Sequence, residues 1–189
     1  MHSSVDATFG APNKNIGDAF LVVWKCKGGQ SVRAVADGAL RATVRNVLTV
    51  SRSAELATIA QRKTVQDRLP GYTVRLGYSL HYGWAVECAI GSDLKVDTSY
   101  LSPHVSLASR LEEATKRYGV DILMTSHTWG LLSPYIQEQC RRITRVMVKG
   151  TPVPFELFTY DVPVESSTDA VSTEFVTSSE VTGPQVTTV

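Results

Sequence analysis

Residues 102–119 read SPHVSLASRLEEATKRYG and carry the clearest local signals of a helix in the chain. Ser102 is a preferred N-cap residue, Pro103 suits the first helical position, and Gly119 stands where a left-handed residue commonly ends a helix. Basic residues in the last turn also favour this helix, because they complement the negative end of its dipole. The stretch therefore predicts one well-bounded helix between Ser102 and Gly119.

Strand and helix patterns alternate on both sides of this helix. Residues 19–24 are apolar, β-branched and aromatic, which predicts a strand, and Gly17 and Asp18 before it suit a tight hairpin turn with Asp18 at its tip. The other predicted elements are a helix capped by Ser31, a helix over 55–69, strands over 72–80 and 84–90 turned around 81–83, a strand over 120–125, short helices capped by Ser126 and Ser133, and closing strands over 142–149 and 155–161. This order predicts an α+β, ferredoxin-like sandwich, in which helices pack on a mostly antiparallel sheet.

Composition limits the classes of function. The 189 residues are 43% hydrophobic and 20% charged, which is enough to bury one sizeable core. A formal net charge of +1 gives no field that favours a nucleic acid or a membrane surface as partner. The three cysteines are odd in number and widely spaced, so we expect neither a disulfide scaffold nor a zinc site, and a reducing, cytoplasmic setting. The longest apolar run, 19–24, is far shorter than the roughly 20 residues of a membrane span.

The end of the chain differs in composition from the rest. Residues 163–189 hold eleven Ser or Thr, four acidic residues and no Lys or Arg. Such a segment cannot bury enough apolar surface to offset the entropy of ordering it. We therefore predict a folded domain over 1–162 and a disordered, acidic, Ser/Thr/Val-rich tail over 163–189.

Common catalytic motifs are absent from the sequence. It holds no GxSxG, no GxxxxGK[ST], no HExxH and no GxGxxG, so serine hydrolase, P-loop and zinc protease chemistry have no support. What remains is a set of isolated polar residues at the ends of predicted elements. Two of them, Ser106 and Arg110, are four residues apart and share one face of the predicted helix.

These polar residues belong to segments that resemble the catalytic domain of class III nucleotide cyclases, the adenylyl and guanylyl cyclases. The resemblance covers about residues 11–161 and consists of short motifs in the family's order. The motifs are Asn13-Lys-Asn-Ile-Gly-Asp-Ala-Phe20 for K-x-I-G-D-x-[FY], Arg75-Leu-Gly with His81-Tyr-Gly83 for R-x-G-x-H-x-G, Ile90-Gly-Ser92 for I-G-[ST], Val105-Ser-Leu-Ala-Ser-Arg-Leu111 for V-N-x-A-S-R, and Val148-Lys-Gly150 for V-K-G. The second motif has two extra residues before its histidine.

The resemblance implies a cyclase fold and a specific reaction. Family members are head-to-tail dimers with sites at the interface, and in cyclic-nucleotide signalling they convert ATP to cyclic AMP and pyrophosphate. Two ions of Mg²⁺ or Mn²⁺ hold the attacking and leaving oxygens, which is why the family uses paired aspartates. The implied partners of this chain are therefore ATP and a second cyclase domain, with a homodimer expected.

Site residues transfer from the family position by position. Asp18 matches a metal-binding carboxylate, Lys14 the lysine that donates to adenine N1, and Ser99 its partner in the purine pocket. Arg110 matches the arginine that stabilises charge developing on the phosphates, and Lys149 the lysine that holds the terminal phosphates. Four of them also have a structural alternative: Asp18 as a turn residue, Lys14 as a solvent-exposed lysine, Ser99 as a loop serine, and Arg110 in an ion pair with Glu112 or Glu113.

Two departures from the family pattern bear on activity. Ser106 stands where the family has an asparagine that orients the ribose, so a reduced rate is expected. The strand that carries the first metal carboxylate has no counterpart, because only seventeen residues precede Asp18 and Asp6 is only faintly similar. We therefore expect the first strand and helix of the fold to be missing, the chain to be part of a longer protein, and catalysis by this chain alone to fail.

Three alternatives remain open. The chain could be a catalytically inactive cyclase-like module that binds nucleotide or a partner domain, a guanylyl cyclase that uses GTP, or a ferredoxin-like RNA-binding sheet. Lys14 favours ATP over GTP, because guanylyl cyclases place an acid there. The RNA-binding hypothesis is the weakest, since no strand combines basic and aromatic residues in the required way. A cytoplasmic location is expected in each case, including that of a cytosolic domain in a larger membrane protein.

Overall fold

The computed structural model describes residues 2–16, 19–92, 95–147 and 154–163. The elements in this part of the chain are α1 (His2–Asp6), β1 (Ala11–Ile16), β2 (Ala19–Val23), α2 (Val32–Ser51), α3 (Ala54–Ala60), α4 (Lys63–Gln66), β3 (Tyr78–Leu80), β4 (Val86–Ser92), β5 (Lys95–Leu101), α5 (Pro103–Tyr118), β6 (Ile122–Thr125), α6 (Ser126–Leu131), α7 (Pro134–Gln139), β7 (Cys140–Val146) and β8 (Phe155–Tyr160).

A four-stranded sheet forms the centre of the molecule, in the order β3-β6-β8-β7. β3 runs parallel to β6, whereas β8 is antiparallel to both of its neighbours. All four residues of β6 are buried because helices cover both faces of the sheet. Side chains of a strand alternate between faces. Accordingly Ile122 and Met124 pack with the apolar stripe of α2, while Leu123 packs with Leu107 and Leu111 of α5.

Two antiparallel hairpins complete the architecture. β1 pairs with β2, ending at Ile16 opposite Ala19, and β4 pairs with β5 from Val86 opposite Leu101 to Ser92 opposite Lys95. Within the described ranges, neither hairpin is hydrogen-bonded into the four-stranded sheet as a further strand. The α+β class with mostly antiparallel pairing is confirmed.

Local capping chemistry explains the boundaries of the long helices. Ser102 Oγ accepts a hydrogen bond from the His104 backbone N–H at 3.0 Å, Pro103 follows at the start, and Gly119 ends α5 with φ of 66°. Ser31 Oγ caps α2 in the same way by accepting from Ala34 N–H. Both N-caps and the glycine stop were predicted from the sequence and are confirmed.

Four predicted elements were wrong or incomplete. The predicted strands over 72–80 and 84–90 do not pair with each other: only residues 78–80 are extended, and they pair with β6. β4 pairs instead with β5. The sequence analysis missed β5 because its central residues, Asp97, Thr98 and Ser99, are polar. The predicted helix over 55–69 is divided into α3 and α4. The first helix after β6 is capped by Thr125, whose side chain accepts from Thr128 N–H, and not by Ser126.

The ends of the chain bear on two further predictions. Among the described residues, the short helix α1 is the one element before β1. Residues 164–189 of the predicted tail lie outside the described residues, and Val162 packs against the main core. Within the part of the chain that the structure covers, no helix has the length and apolar character needed to cross a membrane.

Candidate functional site

Helix α5 presents both residues that the sequence assigned to catalysis. Ser106 and Arg110 are exposed and one turn apart, next to Leu107 and Leu111, which are buried against the sheet. The buried leucines fix the rotation of the helix, because turning it would expose them to water. The face with Ser106 and Arg110 is therefore held at the rim of the sheet rather than left to a mobile loop.

A groove of about 540 Å³ runs between α5 and the end of β7. Arg110 lies on its α5 wall, while Val146 and Met147 form the opposite wall. Its remaining lining residues are Leu107, Leu111, Glu113, Ala114, Arg117 and Tyr118 of α5 and Leu157 of β8. Lys149 follows Met147 by two positions in the sequence but lies outside the described residues. The groove thus brings Arg110 beside the strand that leads to Lys149.

The segments that carry Lys14 and Ser99 also meet. Lys14 is in β1, opposite Leu21, and its side chain is outside the described part. Its neighbour Asn13 stands at an irregularity in the pairing and donates from Nδ2 to the backbone oxygen of Thr98 at 2.8 Å. Ser99, the next residue, is 5% exposed. The two predicted purine contacts therefore lie in hairpins that touch at adjacent residues.

A second polar contact joins the same two hairpins. Lys25, just after β2, donates to both carboxylate oxygens of Glu87 at 2.6 and 2.7 Å, and Tyr100 donates to Glu87 at 3.0 Å. The hydrogen bond from Lys25, followed by that from Tyr100, lowers the pKa of the Glu87 carboxyl. These groups are largely exposed, so the contact fixes geometry more than it adds stability.

The metal site cannot be built from the described residues. They hold no group of three or more His, Cys, Asp or Glu side chains that could bind an ion. Asp18, predicted as a metal ligand, falls outside them, between the strand ends Ile16 and Ala19. Asp6, the weaker candidate, is the exposed last residue of the short helix α1. Asp6 therefore does not occupy a strand as the family's first carboxylate would.

Sequence reasoning missed the contacts that connect these segments. Asn13 and Thr98 are 85 residues apart, and Lys25 and Glu87 are 62 apart. Neither hydrophobic periodicity nor a local motif indicates a contact between residues so far apart in the chain. The sequence did single out His81, which belongs to one of the motifs. The motif does not indicate which residues His81 contacts.

Comparison with known proteins places the fold. No family model matches the chain. An adenylate cyclase from Anabaena cylindrica is 28% identical over 151 residues, covering 79% of this chain, and the chain spans only 28% of that relative's length. Among solved structures, a bacterial light-regulated adenylyl cyclase has a TM-score of 0.62 at 20% identity, covering 92% of this chain and 44% of that one.

Two further solved structures have a similar fold. The adenylyl cyclase CyaB from P. aeruginosa has a TM-score of 0.59 at 23% identity and covers 83% of this chain and 74% of its own. The guanylyl cyclase Cya2 has a TM-score of 0.60 at 21% identity, with 83% and 72% covered. At such identities the structural likeness shows the fold alone. Fold, ordered motifs and the curated relative thus agree that this chain is similar to the catalytic domains of class III nucleotide cyclases.

Proposed function

We propose that the domain converts ATP to cyclic AMP and pyrophosphate at an interface between two copies. In this reaction the 3′-hydroxyl oxygen bonds to the α-phosphorus, the bond from that phosphorus to pyrophosphate breaks, and the hydroxyl proton is released. The observation that carries the proposal is the groove in which Arg110 faces the end of β7 just before Lys149. A guanidinium in the groove and a lysine shortly after β7 in the sequence suit a triphosphate better than a neutral ligand.

Arg110 has the stabilising role in this proposal. Its guanidinium presents several donors in a fixed plane and suits the charge that spreads over the phosphate oxygens as pyrophosphate leaves. Lys149 holds the terminal phosphates as a point charge. Ser106, one turn before Arg110, offers a hydroxyl to the ribose. Because a hydroxyl has a shorter reach than an amide, we expect slower turnover than an asparagine would give.

The purine pocket is assigned to Lys14 and Ser99. A lysine can donate to adenine N1, and a serine hydroxyl can accept from the adenine amino group. The bond from Asn13 to Thr98, next to these two residues, supports their placement in one pocket. A lysine has no acceptor for the ring N–H of guanine, so this pair favours ATP over GTP.

Divalent ions fit the donor chemistry of the β1–β2 hairpin. Carboxylate oxygens are the ligands that Mg²⁺ and Mn²⁺ prefer, and Asp18 would supply one. When bound, two such ions supply charge neutralisation at the attacking and leaving oxygens. A second carboxylate is required, and we assign it to sequence beyond the described residues rather than to Asp6.

A second copy of the chain is the proposed partner. On one face of the β4–β5 hairpin, Val86, Ile90 and Leu101 are each more than half exposed, at 55%, 51% and 56%. Clustered exposed apolar side chains are costly in water and are typical of interfaces. In the head-to-tail dimer, one copy gives the metal-binding Asp18, while the other gives the purine and phosphate contacts, which are Lys14, Ser99, Ser106, Arg110 and Lys149.

Cyclic AMP formation tests the proposal. The chain, and a longer polypeptide that includes its upstream sequence, are incubated with ATP and Mn²⁺, and the product is quantified. We expect Arg110→Ala to lower kcat by about 10²- to 10³-fold. Arg33→Ala, which removes an exposed arginine from α2, is the matched control and should change kcat by less than about twofold. No cyclic nucleotide from ATP or GTP in either polypeptide would overturn the proposal.

Ser106 favours a second candidate, a cyclase-like module that binds nucleotide without turnover. The two candidate functions are distinguished by restoring the family's asparagine at position 106. Ser106→Asn should raise kcat if the domain is an enzyme, whereas an inactive module should bind ATP and release no pyrophosphate with either residue. Lys14→Glu tests the base: it should weaken the use of ATP relative to GTP, and unchanged preference would remove the purine assignment.

A further inference from the structure

Two histidines connect α5 to the sheet. Nε2 of His81, just after β3, lies 2.8 Å from Nδ1 of His104 in the first turn of α5, and the two rings stack. On its other side, Nδ1 of His81 lies 3.0 Å from Oγ1 of Thr125, the buried last residue of β6. A continuous polar path therefore runs from β6 through both imidazoles into the helix that carries Ser106 and Arg110.

The same turn of α5 is held at a second point. Ser102 Oγ accepts from His104 N–H and donates to the backbone oxygen of Trp84 at 2.6 Å. Trp84 and Ser102 precede β4 and follow β5, so the contacts close the base of that hairpin. Tyr82 N–H donates to Thr128 Oγ1 at 3.0 Å and anchors the intervening loop. A Cβ on Gly83 would overlap the His104 ring, which shows how closely the loop packs on it.

Hydrogen-bond chemistry limits how many protons this pair can hold. Between Nε2 of His81 and Nδ1 of His104, one nitrogen must donate and the other accept. One added proton preserves the bond, because the resulting imidazolium can still donate to its neutral partner. A second added proton would place N–H donors on both nitrogens and break the contact. The hydrogen bond is therefore intact when the pair is neutral or carries one added proton, and it is broken when both rings are charged.

The surroundings of the pair oppose charge on His81. Burial has the largest effect, followed by His104 of α5 and His127 of α6, and together they lower the pKa of His81 to about 4. The Tyr82 phenol ring lies edge-on to His127, Trp84 packs edge-on to His104, and Phe155 of β8 packs edge-on to His81. The titratable groups that act on His81 in this environment are thus imidazoles, which do not stabilise a second positive charge.

We propose that His81 and His104 are positioning residues, whose hydrogen bond holds the first turn of α5, and with it Ser106 and Arg110, against the sheet until acid protonates both rings. The pair does not touch the substrate in this scheme. It acts through the placement of α5. The consequence for catalysis rests on the proposed function, whereas the coupling between the pair and α5 does not.

NMR titration of the full chain from pH 7.5 to 3.5 tests the coupling without any activity. We expect the His81 ring to stay neutral above about pH 5, and the amide signals of 102–110 to shift together with its protonation. His104→Asn keeps a side-chain hydrogen-bonding group near Nδ1 but cannot be charged, so it should preserve the neutral-pH spectrum and remove the acid-dependent shift of those amides. His2→Gln, in α1, is the matched control and should leave the shift unchanged.

A second variant keeps the proposal testable if His104→Asn does not fold. Gly83→Ala alters no ionisable group but should displace His104 and raise the apparent pKa of His81 toward its ordinary value. In the wild-type chain, titration of His81 near pH 6.5 would overturn the proposal, and so would amide shifts that persist in His104→Asn. If the chain makes cyclic AMP, kcat should fall at least tenfold with the same acid transition in the wild type and much less in His104→Asn, while KM changes little. An acid fall in kcat that is equal in both would also overturn it.

If the chain shows the NMR coupling but neither it nor the longer polypeptide makes cyclic nucleotide, this proposal stands and the proposed function is refuted. A chain that makes cyclic AMP but lacks the coupling would do the reverse. The two failures are therefore distinguishable.

Discussion

Substitution of Gly77 tests how tightly α5 is seated on the sheet. A Cβ at this position would overlap Oγ1 of Thr115 and stand 2.9 Å from Oε1 of Glu112 and 3.2 Å from Cβ of Thr115. Thr115 is only 1% exposed and is fixed by its bond to the Glu112 backbone oxygen at 2.6 Å, so it cannot simply rotate into solvent. Gly77→Ala must therefore push α5 away from β3.

The magnitude follows from the packing. Overpacking a close contact costs about 1–3 kcal/mol, and Thr115→Ala alone costs about 1–2 kcal/mol through a lost methyl group and hydrogen bond. Because Thr115→Ala removes the oxygen that the new Cβ would meet, the double variant should be destabilised by at least about 1 kcal/mol less than the sum of the two single variants.

Urea unfolding followed by circular dichroism measures these differences. Gly28→Ala is the matched control, since no atom lies within 4 Å of a Cβ placed there, and its effect should stay within about 0.5 kcal/mol. The Gly77→Ala cost corresponds to a fall in Tm of about 2–4 °C per kcal/mol for a domain of this size. Additive effects of Gly77→Ala and Thr115→Ala, within about 0.5 kcal/mol, would refute the steric argument.

Two other predictions concern stability. Gly119→Ala should lower the free energy of unfolding by about 1–2 kcal/mol, because φ of 66° strains any residue with a Cβ although the site offers open space. Gly130→Ala, in helix α6, should be neutral or stabilising in the same urea experiment. Equal losses of stability in both variants would contradict this reasoning. Acid should lower stability through His81, because its pKa is about 4 in the fold and 6.5 without it, so the unfolded chain binds more protons between these values. The His81 contribution is fully present above about pH 6.5 and is lost as pH falls towards 4; a Tm difference between wild type and His81→Gln that is the same at pH 7 and pH 4.5 would contradict it.

The sequence predicted those parts of the fold that local chemistry determines. Helix α5 was bounded correctly because its cap residues each act within one turn. The β1–β2 hairpin and the closing strands β7 and β8 were also found, since the paired strands are adjacent in the chain and β2 and β8 are rich in apolar residues. β5 was missed because its central residues are polar and its pairing with β4 leaves much of both strands exposed. The parallel pairing of β3 with β6 could not be predicted, because it joins segments that a hairpin and a helix separate.

The candidate site was predicted unevenly for the same reason. Ser106 and Arg110 share one helix face, so their spacing alone placed them together. Whether Lys149 and Asp18 join them stays a prediction, since both fall outside the described residues. The links between the two hairpins, and the pair of His81 and His104, depend on tertiary packing. No spacing rule relates residues that meet only after the sheet has formed.

Mixing two inactive variants tests most directly whether the catalytic site is shared between copies. Asp18→Ala and Arg110→Ala are prepared separately in the polypeptide that makes cyclic AMP, and each is expected to show almost no activity. Random assortment of the two in a dimer with two sites should give mixed dimers with one intact site, and thus about a quarter of the wild-type kcat. If the mixture remains as inactive as its components, although an affinity tag on one variant co-purifies the other, the two residues do not act on one triphosphate across the interface.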